Sequence, residues 1–458
     1  MAQNCLINVL EDSHVSPPPG SVPTTSIPLT FFDTMWVSCC HMQRLFFYEF
    51  PYPTSHFMQN SLPNLKNSLS LALQHFFPFA GNLKWPPRPQ RPYIQYTDGD
   101  SVLFVVTEST AEFKHLTGNG QIPRRGHELE DLVPKLAPPS MCSDGDSFCK
   151  QQPLMAIQVS IFPYVGISIG VTFCHVAADG KAFGHFTKSW ASICRSEGDL
   201  TFVDNYPPDY SRDLIQDPRG IWSIFLKEMS NAETSTRMNR NDNVRITPVI
   251  SKTQVEMLKK WIARKFVEEN EKQDPPRLST FVVTTAVMWV CLIKLHLSKK
   301  TPDNGICRFL FPADCRDRLR LPKTYFGNCL TPCIATARRN ELTGENGIFV
   351  AANAIGREIQ EFEKEPLKGI ENWISSAKEV LKECEHLVSL AGSPKLRVYE
   401  TEFGFGRPTK SEVVHIGSRG SISISESRDG EGAVEFGLSL APYEFHKFNA
   451  IFEQFPFN

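Results

Sequence analysis

Residues 154–180 read LMAIQVSIFPYVGISIGVTFCHVAADG. Two apolar runs rich in Ile and Val flank Pro163–Gly166, and the second runs on into His175. β-Branched residues suit a pleated, packed surface, so this stretch predicts a strand pair with its turn at Pro163–Gly166. Whatever the chain folds into must contain a sheet built around that pair. The second strand must end in a His, with Asp179-Gly180 turning four residues later.

A His is the side chain most readily poised as a base near neutral pH. At a strand end the backbone holds the imidazole rigidly, and Asp179 can orient it or brace the turn. Taken alone, His-x-x-x-Asp is a spacing met by chance and equally describes a hydrogen-bonded core histidine beside a turn residue. Gly166–Gly170 matches Gly-x-Ser-x-Gly, but a nucleophile elbow needs a sharp strand-to-helix turn at the Ser. Ser168 sits inside alternating Ile and Val, so the backbone there should be extended. Cys174 neighbours His175 on the strand and points to the opposite face, which excludes a Cys–His pair. No P-loop and no HExxH is present, and no Cys/His cluster has ligand spacing, so no metal is expected.

The chain has 458 residues, more than one hydrophobic core sustains, so two domains are expected. A formal net charge of −2 recruits neither nucleic acid nor an anionic membrane by bulk electrostatics. The N-terminus lacks the basic and apolar regions of a secretory signal. The stretch STFVVTTAVMWVCLIKLHLSKK has too short an apolar run for a membrane span and suits a buried helix. The 13 Cys, including the adjacent Cys39 and Cys40, show no disulfide framework and read as reduced, packing thiols.

Along the chain, a first strand near 7–15 precedes a Pro-rich connection, and 63–76 has helical spacing ended by Pro78 and Gly81. PYIQYTDGDSVLFVVTES predicts a β-hairpin turning at Asp98-Gly99. Phe183, Phe186 and Trp190 predict a helix after His175. Residues 206–240, rich in Pro, Asn and Asp, predict an interdomain linker. The second half restarts with VRITPVI, after which Ser251 and Gln254 form a capping box for a helix. Later strands are RFLFPADCR, SISISES and AVEFGLSL, and the interleaving of helices and strands places the chain in the α/β class.

Two further stretches carry information. SPKLRVYETEFGFGRPTK sets glycines between aromatics, and YFGNC (325–329) follows the basic DCRDRLRLPKT and reads locally as a Gly-Asn turn. Arginines of that approach can pair with Asp179 or Glu402. Together with His175-x-x-x-Asp179-Gly180, LTFFD (29–33) and FFPFAGNL (76–83), these stretches resemble the plant BAHD acyltransferases over nearly the whole chain. YFGNC resembles the branch that acylates anthocyanins and other phenolic glycosides.

The resemblance implies two similar chloramphenicol-acetyltransferase-like domains with mixed sheets, flanking helices and a reaction channel between them. The expected bounds are 1–205 with a returning segment near 365–395, a crossover at 206–240, and 241–458. His175 is implied as the general base, with acyl-CoA as co-substrate and no acyl-enzyme. Asp179 paired with Arg316 would hold the catalytic loop. Glu402, Gly404, Phe405 and Gly406 match the family's DFGWG element, departing from it at Glu402 and Phe405. Lys259, Ser279 and Thr280 are the implied CoA-binding residues, and Thr30, Asp33, Arg44, Phe173, Lys181 and Phe183 the acyl or acceptor pocket. Phe183 with Phe173 suggests an apolar wall for a hydroxycinnamoyl donor, whereas Arg44 or Lys181 would suit the carboxylate of a malonyl donor. The acceptor is expected to be a phenolic glycoside, and the protein a cytoplasmic monomer that binds neither nucleic acid nor membrane. The competing readings are a non-catalytic shell of the same fold and a serine esterase at Ser168.

Overall fold

The computed structural model describes residues 7–455 except 38–40, 88–89, 119–121, 145–146, 231–242, 270–276, 298–303, 384–385 and 417–419. Cys39 and Cys40, and the end of the expected linker, lie outside the described residues.

The strand pair is present as Met155–Phe162 and Gly166–Phe173, antiparallel and buried along its whole length. It lies at the middle of a six-stranded mixed sheet. Ile7–Val15 and Val102–Ser109 run on one side of it, and Met42–Glu49 and Lys410–Val413 on the other. The helices Leu62–His75 and Gly180–Arg195 pack together and bury Leu65, Leu69, Phe186 and Trp190 in the core of this first half.

An eight-stranded mixed sheet organises the second half. Its core is built around Thr280–Leu295, a helix buried on nearly all sides, as expected of so apolar a segment. None of the described helices is long and apolar enough to cross a membrane. The Ser251–Gln254 capping box forms as expected, with Gln254 Oε1 accepting from Ser251 N at 2.8 Å and Ser251 Oγ from Gln254 N at 3.3 Å.

Three expectations need correction. Tyr93–Tyr96 and Val102–Ser109 turn at Asp98-Gly99 but are not a hairpin. The first joins a small five-stranded sheet between Thr25–Pro28 and Asn82–Trp85, and the second the six-stranded one between Ile7–Val15 and Met155–Phe162. The expected linker is largely built structure. Arg212–Leu214 is a helical turn, and Ile221–Ser230 is a helix whose Ile221, Trp222 and Phe225 enter the second core. The segment 365–395 does not return to the first half either, since His386–Gly392 is a strand of the eight-stranded sheet. The return is made by Lys410–Val413, which pairs antiparallel with Met42–Glu49. In exchange, Arg124–Arg125 from the first half pairs with Val244–Ile246 in the second sheet.

The two exchanged strands are tied by charge. Buried Arg124 donates to Glu412 on the return strand and to Thr247 Oγ1. Lys410, fully buried, lies 3.1 Å from Glu435 of the second sheet. Removing one member of such a pair strands the other charge in the interior, which costs about 3–5 kcal/mol, whereas an apolar pair of similar volume costs much less. Arg124→Ala is therefore expected to lower unfolding free energy by about 3–5 kcal/mol in denaturant titration. The double variant Arg124→Met/Glu412→Leu should recover most of that loss.

Candidate active site

His175 follows the strand Gly166–Phe173 and is 7% exposed. Its Nδ1 lies 3.0 Å from Asn328 Oδ1. The Asn328 amide is itself held, because its Nδ2 donates to Asp33 Oδ1 at 3.0 Å and to the His175 carbonyl at 2.9 Å. A carboxylate accepts only, so Nδ2 must face Asp33 and Oδ1 must face the imidazole. Nδ1 therefore carries the proton, and Nε2 keeps its lone pair. The Trp36 indole lies flat against the ring, with centroids 3.7 Å apart and planes 5° from parallel. Burial holds the imidazole pKa below its ordinary value, outweighing Asn328, Asp179 and Asp33, which act in the opposite direction.

Behind the base, Asp179 caps the helix Gly180–Arg195, its Oδ1 accepting from the backbone N–H groups of Lys181 and Ala182. Arg316 grips the same carboxylate with both ends of its guanidinium, at 2.8 and 3.0 Å. Neither residue is exposed. Asp179 Oδ2 also accepts from Cys329 N at 3.1 Å, and Arg316 donates to the carbonyls of Tyr325 and Gly327. The expected pair is present, and it fastens the helix start to the YFGNC loop.

Asp33 was expected in the acyl or acceptor pocket, with Thr30. Instead it is fully buried and its oxygens are taken. Oδ2 accepts from Thr30 N and Oγ1 at 2.9 and 2.8 Å, and Oδ1 from Asn328 N and Nδ2 at 3.1 and 3.0 Å. Arg212 adds an ion pair at 3.3 Å and donates to the Tyr325 hydroxyl at 2.7 Å. Thr30 and Asp33 thus position Asn328 rather than face a substrate. Gly327, at φ +139°, leaves the space that Arg212 fills, and a Cβ there would collide with the guanidinium.

The remaining expected pocket residues are dispersed. Phe173 and Phe183 stack on each other at 4.5 Å within the first core, 3% and 6% exposed. Lys181 turns to Asp314 at 2.9 Å on the surface. Arg44 is buried, donates to Ser411 Oγ at 3.1 Å and has no carboxylate within ion-pair distance among the described residues. It borders a small, largely enclosed cavity lined by Thr247, Ser423, Ser425 and Glu435. Lys259 pairs with Glu256 at 2.8 Å, and Ser279 caps the helix that begins at Thr280.

The Glu402–Gly406 element packs on the first half. Phe403 meets Trp190 edge-on at 4.6 Å, Phe405 meets Tyr48 and Phe50, and Glu402 pairs with Arg195 at 3.1 Å. Gly404 and Gly406 take φ of +95° and +82°, which side-chain-bearing residues rarely adopt. The departures from DFGWG are accommodated at a packing site on the first core.

Neither alternative nucleophile is activated: Cys174 Sγ only donates to the Pro153 carbonyl at 3.6 Å. Ser168 lies in mid-strand, its buried Oγ without a hydrogen bond. Burial pushes the Cys174 thiol up to about 12, so it stays protonated. Among the described residues no group of His, Cys, Asp and Glu could hold a metal. Sequence reasoning missed Asn328, Trp36 and Arg212. YFGNC was visible but read as a turn, and Arg212 lay in the segment taken for a linker.

The chain is a transferase of the BAHD type. A family model described as "Transferase family" matches residues 8–455, and the chain belongs to that family. It is 39% identical over 472 residues to coumaroyl-CoA:anthocyanidin 3-O-glucoside-6''-O-coumaroyltransferase 1 of Arabidopsis thaliana, covering 97% of each chain. It is 33% identical to malonyl-coenzyme A:anthocyanin 3-O-glucoside-6''-O-malonyltransferase of Dahlia pinnata, covering 97% of this chain and 96% of that one. The fold matches the crystal structure of vinorine synthase with TM-score 0.69 at 19% identity, over 97% of this chain and 98% of that one.

The lowered His175 pKa has a definite sign. The folded imidazole stays neutral at a pH where a free one is protonated, so the acid limb of kcat/KM should lie below pH 6.5. The stability of burying it neutral is present above the unfolded value and is lost as pH falls below it. Trp36→Ala admits water to the ring and should move the acid limb upward, measured as the pH profile of kcat/KM. Asp179→Asn should lower both activity and melting temperature, since Arg316 is left partly unpaired.

Proposed function

We propose that this protein transfers an acyl group from acyl-CoA to a hydroxyl of a phenolic acceptor. The acceptor is most simply a sugar hydroxyl of a flavonoid or anthocyanin glycoside, and the donor a hydroxycinnamoyl thioester. The observation that carries the reading is the fixed tautomer of His175, with Nδ1–H on Asn328 and Nε2 left free. Nε2 takes the acceptor hydroxyl proton as the oxygen attacks the thioester carbonyl. Asn328 Oδ1 and the nearby carboxylates of Asp33 and Asp179 stabilise the imidazolium that forms. The tetrahedral oxyanion collapses, the C–S bond breaks, and the CoA thiolate leaves with the proton that His175 returns. No acyl-enzyme is formed, consistent with the inert settings of Ser168 and Cys174.

For CoA, the reading uses the N-terminus of the helix at Thr280 with its Ser279 cap, a ready donor of backbone N–H groups to phosphate. Lys259 lies on the adjoining helix Lys252–Glu269. Its half-exposed pair with Glu256 is weak enough to exchange for a phosphate. The donor preference follows the coumaroyl-transferring relatives in the same organism's pair, at 39% and 38% identity. A malonyl donor is the second reading, favoured by the buried guanidinium of Arg44, which has no carboxylate within ion-pair distance among the described residues. We also place the protein in the cytoplasm as a monomer.

His175→Ala should keep the fold and lower turnover by roughly 100- to 10,000-fold with any accepted donor, measured by steady-state assay. Near-normal turnover would overturn the mechanism, whereas loss on Ser168→Ala with His175 intact would point to an esterase. Arg44→Ala should leave coumaroyl-CoA use nearly unchanged, whereas Phe183→Ala, which empties a core position, should lower stability and the use of every donor alike. Steep loss of malonyl-CoA use on Arg44→Ala, with the wild type preferring that donor, would establish the second reading instead.

A further inference from the structure

The strands Ser140–Asp144 and Ser147–Pro153 form the outer edge of the five-stranded sheet, with Ser140–Asp144 outermost. Their antiparallel register sets Cys142 directly opposite Cys149. Opposed residues of such a pair have Cα atoms about 4.5–5.5 Å apart, within the range that a disulfide spans. The two Sγ atoms already touch, at 2.7 Å. Lys84, on the neighbouring strand Asn82–Trp85, donates from Nζ to Cys142 Sγ at 3.3 Å and to Gln151 Oε1 at 2.6 Å. Of the described cysteines, Cys142 alone is not buried. The others lie within the fold, as Cys174, Cys291 and Cys333 do. One accessible thiol, a cation beside it and a second thiol opposite it are the parts of an attacking and a resolving cysteine.

We propose that Cys142 and Cys149 are a reversible thiol–disulfide pair, oxidised by a low-molecular-weight disulfide of the glutathione type. Cys142, as thiolate, attacks one sulfur of that disulfide; a protein mixed disulfide forms and one glutathione thiolate leaves and takes up a proton. Cys149 attacks the Cys142 sulfur and expels the second glutathione, its proton passing to the departing glutathione thiolate. The balance is two protein thiols and one small disulfide giving one protein disulfide and two small thiols. Lys84 stabilises the negative charge on Cys142 sulfur as it attacks. The product clamps the outermost strand to its neighbour. That neighbour continues to Gln152, whose Nε2 lies 2.9 Å from His41, the residue before the strand Met42–Glu49. The clamp thus joins the sheet edge to the segment that leads from Trp36 into the first sheet. The assignment stands apart from the acyl-transfer reading.

The full-length protein, reduced and then exposed to oxidised glutathione, should lose the mass of two hydrogen atoms and two thiols reactive towards Ellman's reagent. Non-reducing peptide mapping should show Cys142 linked to Cys149, and dithiothreitol should reverse the change. Cys149→Ser should stop at one glutathionyl group on Cys142, and Cys142→Ser should lose the reaction. A persistent mixed disulfide in the wild type, a link between other cysteines, or no change in mass would overturn the proposal. The wild-type map decides this even if a variant fails to fold.

Discussion

The Asp179–Arg316 pair is the contact on which the rest of the molecule depends. Both side chains are removed from water, a state that neither charge tolerates alone. The pairing succeeds because the surplus hydrogen-bonding capacity is also met. Asp179 takes backbone N–H groups from its own helix and from Cys329, and Arg316 gives to Asp314 and to two carbonyls of the YFGNC loop. Those partners come from both halves of the chain. The turn that presents His175 and the loop that presents Asn328 are consequently one rigid unit.

The proposed catalysis would draw on that rigidity. Asn328 can fix the imidazole tautomer only because Asp33 fixes Asn328, and Asp33 in turn is held by Thr30 and Arg212. Each group in the series satisfies the next, so little reorganisation would remain in the proton transfer proposed for His175. The exchange of strands between the halves serves the same end at larger scale. Arg124–Arg125 and Lys410–Val413 cross in opposite directions and are tied by buried charge, and the Glu402–Gly406 element clamps the return path onto Trp190 and Tyr48. Phe405 is held edge-on by Tyr48 and Phe50 and packs tilted against Phe57.

Much of this was legible in the residues themselves. The strand pair, the buried helix at Thr280–Leu295 and the Ser251 capping box rest on local pattern, although the second strand ends at Phe173 and leaves His175 in the turn beyond it; the Asp179–Arg316 pair, implied by the family resemblance, is also present. Periodicity and capping are short-range, so the sequence alone determines them. The motifs placed the chain in its family for the same reason. What tertiary structure alone decided was partnership. Asp98-Gly99 makes the expected turn, but the strands on either side leave for different sheets because burial there outweighs proximity. A polar segment that looked like a linker supplies Arg212 to the site, and the strand that returns to the first half is Lys410–Val413, not the segment 365–395. Asn328 looked like a turn residue, and only the approach of Asp33, 295 residues away, turned its amide so that its oxygen faces His175. No local rule can supply such a contact, since its free energy comes from burying groups that are distant along the chain.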